Sequence, residues 1–225
     1  MIFSCSNKRE ILFEDDFENE VINPNWSIVG GGEVTLDKKK SFSGKQSIHF
    51  VTGEGFKNRA FINLKNIFPV VENSFSGSLK MFVENASPDG IHWTMIEAKG
   101  KVAKPNFIAK VRYGGQHNKK LMANYDTETV SSDCWQHSSV KIPEKKWFSM
   151  KFQFIGHKNT MRFWLDNQLI EDLTVVNNGQ GCLNNDLKGV WKFPIFEELN
   201  LGWVDYQKSG GVRNVWIDDV IVFME

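Results

Sequence analysis

The sequence predicts an all-β protein whose strands form two antiparallel sheets, arranged as a sandwich or jelly roll. Residues 148–154 alternate apolar and polar side chains without a break, which is the period of a half-buried strand. The chain contains 18 Phe and 8 Trp, and these residues favour strands in such alternating segments. Similar short segments recur between turn signals, and no segment has the pattern of a long amphipathic helix. This combination is typical of β-sandwiches.

The predicted strands can be placed in order along the chain. They cover residues 13–18, 26–29, 34–36, 46–51, 148–154, 161–166, 168–170 and 215–222. Three glycines at 30–32 separate the second and third strands, a hairpin turn is predicted at 156–159, and Asp166-Asn167 begins the next turn. Residues 177–192 form the longest segment predicted to be irregular, and long loops on a rigid sandwich are often functional.

Length and charge limit the class of protein. We expect one domain over residues 11–225 behind an N-terminal tether of residues 1–10. A chain of 225 residues buries about 70% of its unfolded surface, so its core needs no metal or disulfide. Lys plus Arg and Asp plus Glu both number 27, and this balance argues against a general nucleic-acid or anionic-membrane binder. No apolar run approaches the ~20 residues of a membrane-spanning helix. We expect a monomer.

The cysteines point to export. Met1 to Lys8 is an apolar stub followed by a small residue, Cys5 and polar residues, which resembles the cleavage end of a bacterial lipoprotein signal. Cys5 is therefore a candidate lipid anchor, and the alternative is a frayed terminus with an incidental cysteine. In an exported protein Cys134 and Cys182 could form a disulfide between two loops, and the alternative is two reduced thiols.

Acidic residues on the terminal strands predict a metal site. Alternate residues share a strand face, so Glu14, Asp16 and Glu18 lie together in the first predicted strand, and Asp218 lies in the last. Clustered carboxylates repel one another unless a cation lies among them, and a hard oxygen-binding cation such as Ca²⁺ fits best. Two alternatives remain open. The spacing is also that of the catalytic carboxylates of laminarinase-type glucanases, and the residues could simply be solvated edge charges.

A basic strand in the middle of the chain is the strongest candidate for substrate binding. Lys110 and Arg112 project from one strand face, with Ala109, Val111 and Tyr113 on the other. Two cations followed by two glycines and an amide, Gln116, are suited to a sugar carboxylate, since Arg offers a bidentate fork. The alternative is a solvated face, because Lys and Arg alternate on many strands.

Other candidate site residues lie on either side of this strand. His92 is expected to share a face with Thr94 and Ile96, opposite Trp93, Met95 and Glu97, although a histidine in an apolar strand is more often a core residue. Asn124 and Asp133 belong to polar clusters on predicted loops. Trp203 and Asp205 are expected on the face opposite Tyr206, which precedes a Gly-rich turn.

Taken together, these motifs resemble a known family. The residues that carry the resemblance, in chain order, are Asp15-Asp16-Phe17-Glu18, Ser43-Gly44-Lys45-Gln46-Ser47, Arg112-x-Gly114-Gly115-Gln116, Ser132-Asp133, Gly202-Trp203-x-x-Tyr206 and Val215-Trp216-x-Asp218-Asp219. The ordered set resembles the family of the fungal cellulose-induced jelly-roll proteins, which are related to the glucuronan lyases of polysaccharide lyase family 20.

The resemblance implies a fold and a site. The fold would be a concanavalin A-like β-jelly roll with a concave cleft, and a structural Ca²⁺ would be held by Glu18 and Asp218, with Asp16 a weaker candidate. Arg112, Gln116, Asp133 and Tyr206 would line the cleft, and Gln116 and Tyr206 match catalytic positions of the lyases. The chain departs from the family at Lys110, where the fungal protein has His, and at Arg59, near which the family has another His.

We therefore expect an exported protein that acts on polysaccharide, most simply a lyase that cleaves acidic, uronate-containing glycans such as glucuronan by β-elimination. Arg112, Lys110 and Gln116 would stabilise the charge that develops on the uronate, and Tyr206 or His92 would transfer protons. Asp133, Asn124, Trp203 and Arg59 are the remaining predicted substrate contacts. The alternatives are a non-catalytic carbohydrate-binding module and a glycoside hydrolase that uses carboxylates.

Overall fold

The computed structural model describes residues 9–208 and 211–225, and nearly all of them belong to strands or to short connections between strands. The strands are β1 Ile11–Asp15, β2 Trp26–Val29, β3 Glu33–Asp37, β4 Ser47–Thr52, β5 Ala60–Leu64, β6 Ser74–Val83, β7 Trp93–Val102, β8 Phe107–Gln116, β9 Lys120–Thr127, β10 Ser132–Lys141, β11 Trp147–Ile155, β12 Thr160–Leu165, β13 Gln168–Leu169, β14 Val175–Val176, β15 Gly181–Asn185, β16 Ile195–Asp205 and β17 Arg213–Met224.

These strands form two antiparallel sheets, which confirms the predicted fold class. The nine-stranded sheet has the order β13-β12-β11-β6-β17-β4-β3, with β1 paired to β17 and β14 paired to β12. The eight-stranded sheet has the order β15-β10-β9-β8-β7-β16-β5-β2. The helices among the described residues are four 3-10 turns, at Phe56–Asn58, Val71–Asn73, Gly156–Lys158 and Glu171–Leu173. None of these helices is long and apolar enough to cross a membrane.

The core lies between the facing sides of the two sheets, where apolar residues alternate with outward-facing polar ones. On β8 the inward residues are Ala109, Val111 and Tyr113, as the period of two predicts. Aromatic rings join the two sheets across this layer: Tyr113 lies 5.8 Å from Phe154 of β11 between ring centroids. This packing leaves the opposite face of β8 and its neighbours free to carry polar side chains.

Several predicted connections are confirmed, and one was wrong. Strands β11 and β12 form the expected hairpin with Ile155 opposite Thr160, and Asp166-Asn167 connects β12 to β13 with both residues at positive φ. Residues 30–32 separate β2 from β3, as predicted, and carry the chain from the eight-stranded sheet to the nine-stranded sheet. Residues 177–192 are not irregular throughout, because they contain β15, an edge strand that pairs with β10.

The first and last strands pair antiparallel, with Asp15 opposite Val220. The prediction that Glu14, Asp16 and Glu18 share one strand face is wrong, since β1 ends at Asp15 and Phe17 has a φ of 57°. Asp15 is buried, and its carboxylate accepts hydrogen bonds from the backbone of Phe17 and from Trp26 Nε1 at 2.8 Å. The chain therefore turns immediately after β1, and the Glu18 side chain contacts the backbone amides of Lys45 and Gln46.

Candidate functional site

A cleft of about 360 Å³ opens on the outward face of the eight-stranded sheet. Its floor is built by β2, β5, β7, β8 and β16. The charged and aromatic residues that line it are Phe56, Arg59, Phe61, Lys65, Glu97, Lys99, Lys110, Arg112, Glu128, Glu198 and Tyr206. Lys110 and Arg112 thus share the face that strand periodicity predicts, and Tyr206 and Arg59 lie in the same cleft.

A continuous row of hydrogen-bonded side chains, which we call the polar ladder, crosses six strands at the floor of this face. Its members, from β10 to β5, are Asp133, Asn124, Arg112, Glu97, Asn200 and Asn63. Neighbouring members are joined by hydrogen bonds of 2.6 to 3.1 Å. Each of the six strands contributes one member, and the hydrogen bonds between neighbours fix these side chains relative to one another.

Arg112 is the centre of the polar ladder and is almost fully buried. Its Nε donates to Glu97 at 2.6 Å and its Nη2 to Asp126 at 3.0 Å. Burial acts to lower the pKa of this guanidinium, but neighbouring Tyr206, Glu97 and Asp126 outweigh burial and raise it. Two protein carboxylates therefore already occupy the fork that we expected to be open to a substrate carboxylate, and a substrate contact by Arg112 stays a prediction.

The other basic residues of the cleft divide into paired and unpaired groups. Lys110 Nζ lies 2.9 Å from Glu128, and Lys99 and Lys65 lie 3.6 and 3.0 Å from Glu198. In the described part of the chain, Arg59 is the one basic residue lining the cleft without a carboxylate within 4.0 Å. Its guanidinium stacks over the Phe56 ring at 4.3 Å and donates to the carbonyl of the same residue.

Tyr206 lies at the end of the cleft, just after β16. Its ring is 5.6 Å from the Arg112 guanidinium carbon, it stacks on Phe56 at 5.8 Å, and its hydroxyl lies 3.3 Å from Thr94 Oγ1. Burial raises the pKa of Tyr206 and outweighs the opposing effect of Arg112. The phenol therefore carries its proton at neutral pH and is a proton donor in the resting protein.

His92 packs against Tyr206, with ring centroids 4.6 Å apart. Burial, together with the charge of Arg112 and the proximity of His137, lowers the pKa of His92 to about 3. The imidazole is therefore neutral at physiological pH, and its buried Nε2 has no hydrogen-bond partner among the described residues. A neutral imidazole beside a phenol places a proton acceptor next to a proton donor.

The remaining predicted residues have mixed outcomes. Gln116 ends β8, and its Nε2 is 3.5 Å from the Gly90 carbonyl, beside His92 rather than among the residues lining the cleft. Asn124 and Asp133 belong to the polar ladder, so they orient Arg112 and face other side chains. The prediction of Trp203 as a substrate contact is wrong, because Trp203 is fully buried and stacks on Trp93 at 4.4 Å.

Glu97 is the most important residue that the sequence argument missed. Regular alternation places Glu97 on the face opposite His92 and Thr94, but the pairing of β7 with β8 shifts between Thr94 and Ile96. This β-bulge moves Glu97 to the cleft and Ile96 into the core. Burial acts to raise the pKa of Glu97, yet Arg112, with smaller effects from the nearby lysines, makes the net shift downward. No signal in the sequence marks the bulge.

The predicted disulfide is present: Cys134 and Cys182 are joined at an S–S distance of 2.05 Å. The bond connects β10 to β15 at the edge of the sheet that carries the cleft, not two loops. Cys5 lies outside the described residues.

The predicted calcium ligands meet the loop of residues 40–46. Glu18 Oε1 accepts from the Lys45 and Gln46 amides, and Asp218 accepts from the Phe42 and Ser43 amides. No group of three or more acidic, histidine or cysteine side chains suited to a metal occurs in the described residues. The ion would therefore need backbone carbonyls of this loop besides the two carboxylates, and calcium stays a prediction.

Comparison with known proteins gives the family. The chain belongs to the Cip1-like, polysaccharide-lyase-like family, whose core-domain model matches residues 16–225. A search of curated protein sequences found no match.

Solved structures share the fold. The cellulose-induced protein Cip1 is 23% identical with a TM-score of 0.72, over 95% of this chain and 97% of that one. The endo-β-1,4-glucuronan lyase of the fungus Trichoderma reesei is 10% identical with a TM-score of 0.62, over 96% of each chain. At these identities the likeness establishes the fold.

Proposed function

We propose that this protein is a polysaccharide lyase that cleaves uronate-containing glycans in the cleft. The observation that carries the proposal is that a protonated phenol, Tyr206, and the guanidinium of Arg59, which has no carboxylate partner among the described residues, both pack against Phe56 in the same positively charged cleft. Membership in a polysaccharide-lyase-like family and the fold shared with a glucuronan lyase support the same reaction class.

The charge of the cleft supports an acidic substrate. Five basic residues line the cleft against three carboxylates, which gives a formal charge of +2. Lys65, Lys99, Lys110 and Arg112 are paired with Glu97, Glu128, Glu198 and, just outside the lining, Asp126. Arg59 is therefore the residue best placed to bind the uronate carboxylate. A guanidinium suits this role because its planar donors match two carboxylate oxygens.

The reaction requires two proton transfers. The C5–H bond of the uronate breaks and its proton passes to a base, the electron pair forms the C4=C5 double bond, and the C4–O4 bond breaks. The departing O4 takes up a proton and becomes the hydroxyl of the leaving chain. Tyr206 lines the cleft and is the donor to O4 in this scheme. His92 accepts the C5 proton, which requires substrate binding to expose its ring, because His92 packs against Tyr206 outside the cleft lining and its Nε2 is buried. A bound uronate carboxylate would raise the low pKa of His92 by its negative charge and so make it a better base.

The test is product analysis by mass spectrometry after incubation with polyglucuronate, alginate, pectate and a neutral β-glucan. A lyase yields an unsaturated uronate end on acidic substrates only, whereas hydrolysis adds one water per cut. Saturated products, or unsaturated ends in equal yield from a chemically inactivated sample, would refute the proposal.

A non-catalytic carbohydrate-binding protein is the second candidate. The observation that favours it is the pairing of Arg112 and the cleft lysines with carboxylates, which leaves few free reactive groups. If the protein binds polyuronate but forms no product, it is a carbohydrate-binding protein and not a lyase.

A glycoside hydrolase is less well supported. Its general acid needs a raised carboxyl pKa, yet the net effect of the neighbouring cations lowers the pKa of both Glu97 and Glu128.

We also propose that the protein is exported. The disulfide between Cys134 and Cys182 supports this location, because such bonds persist mainly in oxidising compartments. Lipidation of Cys5 remains a separate prediction.

A further inference from the structure

A second and larger cavity, of about 700 Å³, lies on the outward face of the nine-stranded sheet, on the opposite side of the sandwich from the cleft. We call it the outer cavity. Its walls come from β6, β11 and β17, from the segment of residues 14–23 and from Asn167. The volume is within the range of sites that bind small molecules. Nothing in the proposed elimination uses this cavity.

Two local departures from regular strand structure shape the outer cavity. The pairing of β17 with β6 shifts between Asp218 and Ile221, and Asp219 within this bulge has a φ of 49°. Phe17, at the turn after β1, has a φ of 57° although its side chain is large. Left-handed backbone at such residues costs free energy and tends to occur at functional sites, as do β-bulges.

An aromatic row runs across the same face and ends beside the outer cavity. His49, Trp216, Phe82 and Trp147 stand in register on β4, β17, β6 and β11. Neighbouring rings in this row lie 4.1, 5.5 and 5.8 Å apart between centroids. Rings held edge to face and stacked in this way form a rigid platform.

Phe42 connects the aromatic row to the outer cavity. Its ring lies 6.0 Å from that of Trp147 and remains 48% exposed. Lys80, which lines the cavity, places its Nζ 4.4 Å from the Phe42 ring and donates to Ser149 Oγ at 2.8 Å. Phe42 does not itself line the outer cavity, but its exposed ring lies against Lys80, which does, and so stands at the rim of the cavity. A ring in this position is suited to stacking on one face of a sugar while the sugar's hydroxyls reach the polar residues of the cavity.

The charge of the outer cavity distinguishes it from the cleft. Four carboxylates and two lysines line it, which gives a formal charge of −2, whereas the cleft carries +2. The side chains of Asn19, Asn23 and Asn167 add amide donors and acceptors. A polyuronate would be repelled here, and a cationic ligand would meet Lys80 and Lys151 within the same walls.

We propose that the outer cavity binds a neutral hexose unit of a polysaccharide, with Phe42 stacking on the ring and the carboxylates and amides bonding its hydroxyls. The protein would then hold a neutral glycan on one face while the cleft on the other face acts on an acidic one. This site is independent of the cleft, so either assignment can fail without the other.

The test is isothermal titration calorimetry with neutral hexasaccharides of β-glucan, mannan and galactan, with a glucuronate hexasaccharide and a glucosamine hexasaccharide as comparison ligands. Phe42→Ala is expected to weaken binding of the neutral ligand by about tenfold, since it removes the stacking ring. Asn19→Ala serves as a second variant, because its exposed side chain makes no described hydrogen bond that the fold would lose.

Phe56→Ala is the matched control, because Phe56 is 47% exposed but lies in the cleft. It should leave neutral-glycan binding unchanged, and Phe42→Ala should leave glucuronate binding unchanged. The proposal is overturned if no neutral hexasaccharide binds, if Phe56→Ala rather than Phe42→Ala reduces that binding, or if the glucosamine oligomer alone binds to the outer cavity.

Discussion

Arg112 shows how burial decides what a charged residue can do. Its guanidinium is held by Glu97, Asn124 and Asp126 and lies beside Tyr206. In this position it fixes the polar ladder and influences the protonation of its neighbours. The half-buried Arg59, which has no carboxylate within 4.0 Å among the described residues, is better suited to bind substrate.

Arg59→Ala should therefore raise KM for polyuronate by about tenfold, with little change in kcat, because it removes a charged hydrogen-bonding partner of the substrate. Steady-state kinetics on polyglucuronate measures both constants. Arg162→Ala, on β12 of the nine-stranded sheet, is the control, and its KM and kcat should equal those of the parent. An unchanged KM in Arg59→Ala would show that another cation binds the carboxylate.

Arg112→Ala should destabilise the fold by about 3 kcal/mol, because it leaves two carboxylates without their buried partner. Lys110→Ala, which removes a cation paired with a partly exposed Glu128, should cost less than about 1 kcal/mol. Urea unfolding gives both values. If Arg112→Ala unfolds at the parent's midpoint but loses polyuronate affinity, then Arg112 contacts substrate after all.

His92 should make stability depend on pH. Its pKa is about 3 in the folded protein against an ordinary value of 6.5, so the unfolded chain binds more protons between these values. Stability is therefore unaffected by His92 above pH 6.5 and falls as the pH drops toward 3. Melting temperatures of His92→Phe should depend less on pH over this window than those of the parent and of the exposed-site control His157→Gln. If the melting temperatures of His92→Phe and of the parent changed equally with pH, the low pKa of His92 would be contradicted.

For single residues, the sequence predicted the correct strand face wherever apolar and polar positions alternate strictly. Lys110 and Arg112 share one face of β8, and Ala109 and Val111 lie on the other face, as predicted. Alternation failed at Glu97, because a β-bulge adds one residue to the count and no side chain announces it.

At the scale of elements, the pairing of β1 with β17 brings the chain ends together, and the loop of residues 40–46 bridges them. Glu18 holds one side of this loop and Asp218 the other through backbone amides. The sequence indicated which acidic residues matter here, but not that Phe17 would leave the strand conformation and separate Glu18 from Glu14.

We predict that calcium binds at Glu18 and Asp218. An ion that binds the native protein alone should raise the melting temperature by roughly 5–10 °C at about a hundredfold excess over Kd, and chelator should reverse the change. Differential scanning calorimetry with and without chelator measures this effect. Glu18→Gln should abolish the response and Glu14→Gln should keep it. A melting temperature insensitive to chelator, with no metal in the purified protein, would disprove the site.

Over the whole molecule, the sandwich presents two outward faces, and the cavities on them have opposite formal charge. The cleft face carries Arg59 and Tyr206, and the other face carries the aromatic row and the outer cavity. Sequence patterns predicted the two sheets because period-two alternation is a local property. They could not predict the outer cavity, which arises where β1, β6, β11 and β17 meet from distant parts of the chain.

Elimination at the cleft is best tested by the ultraviolet absorbance of polyglucuronate incubated with the parent protein, with Tyr206→Phe and with the control Tyr125→Phe. We expect the absorbance of the C4=C5 double bond to rise with the parent and with the control. For Tyr206→Phe we expect a rise at least about a hundredfold slower, of the order that loss of a general acid causes, because that variant lacks only the hydroxyl that donates to O4. Absorbance that rises equally with Tyr206→Phe, or that never rises with the parent, would contradict this expectation.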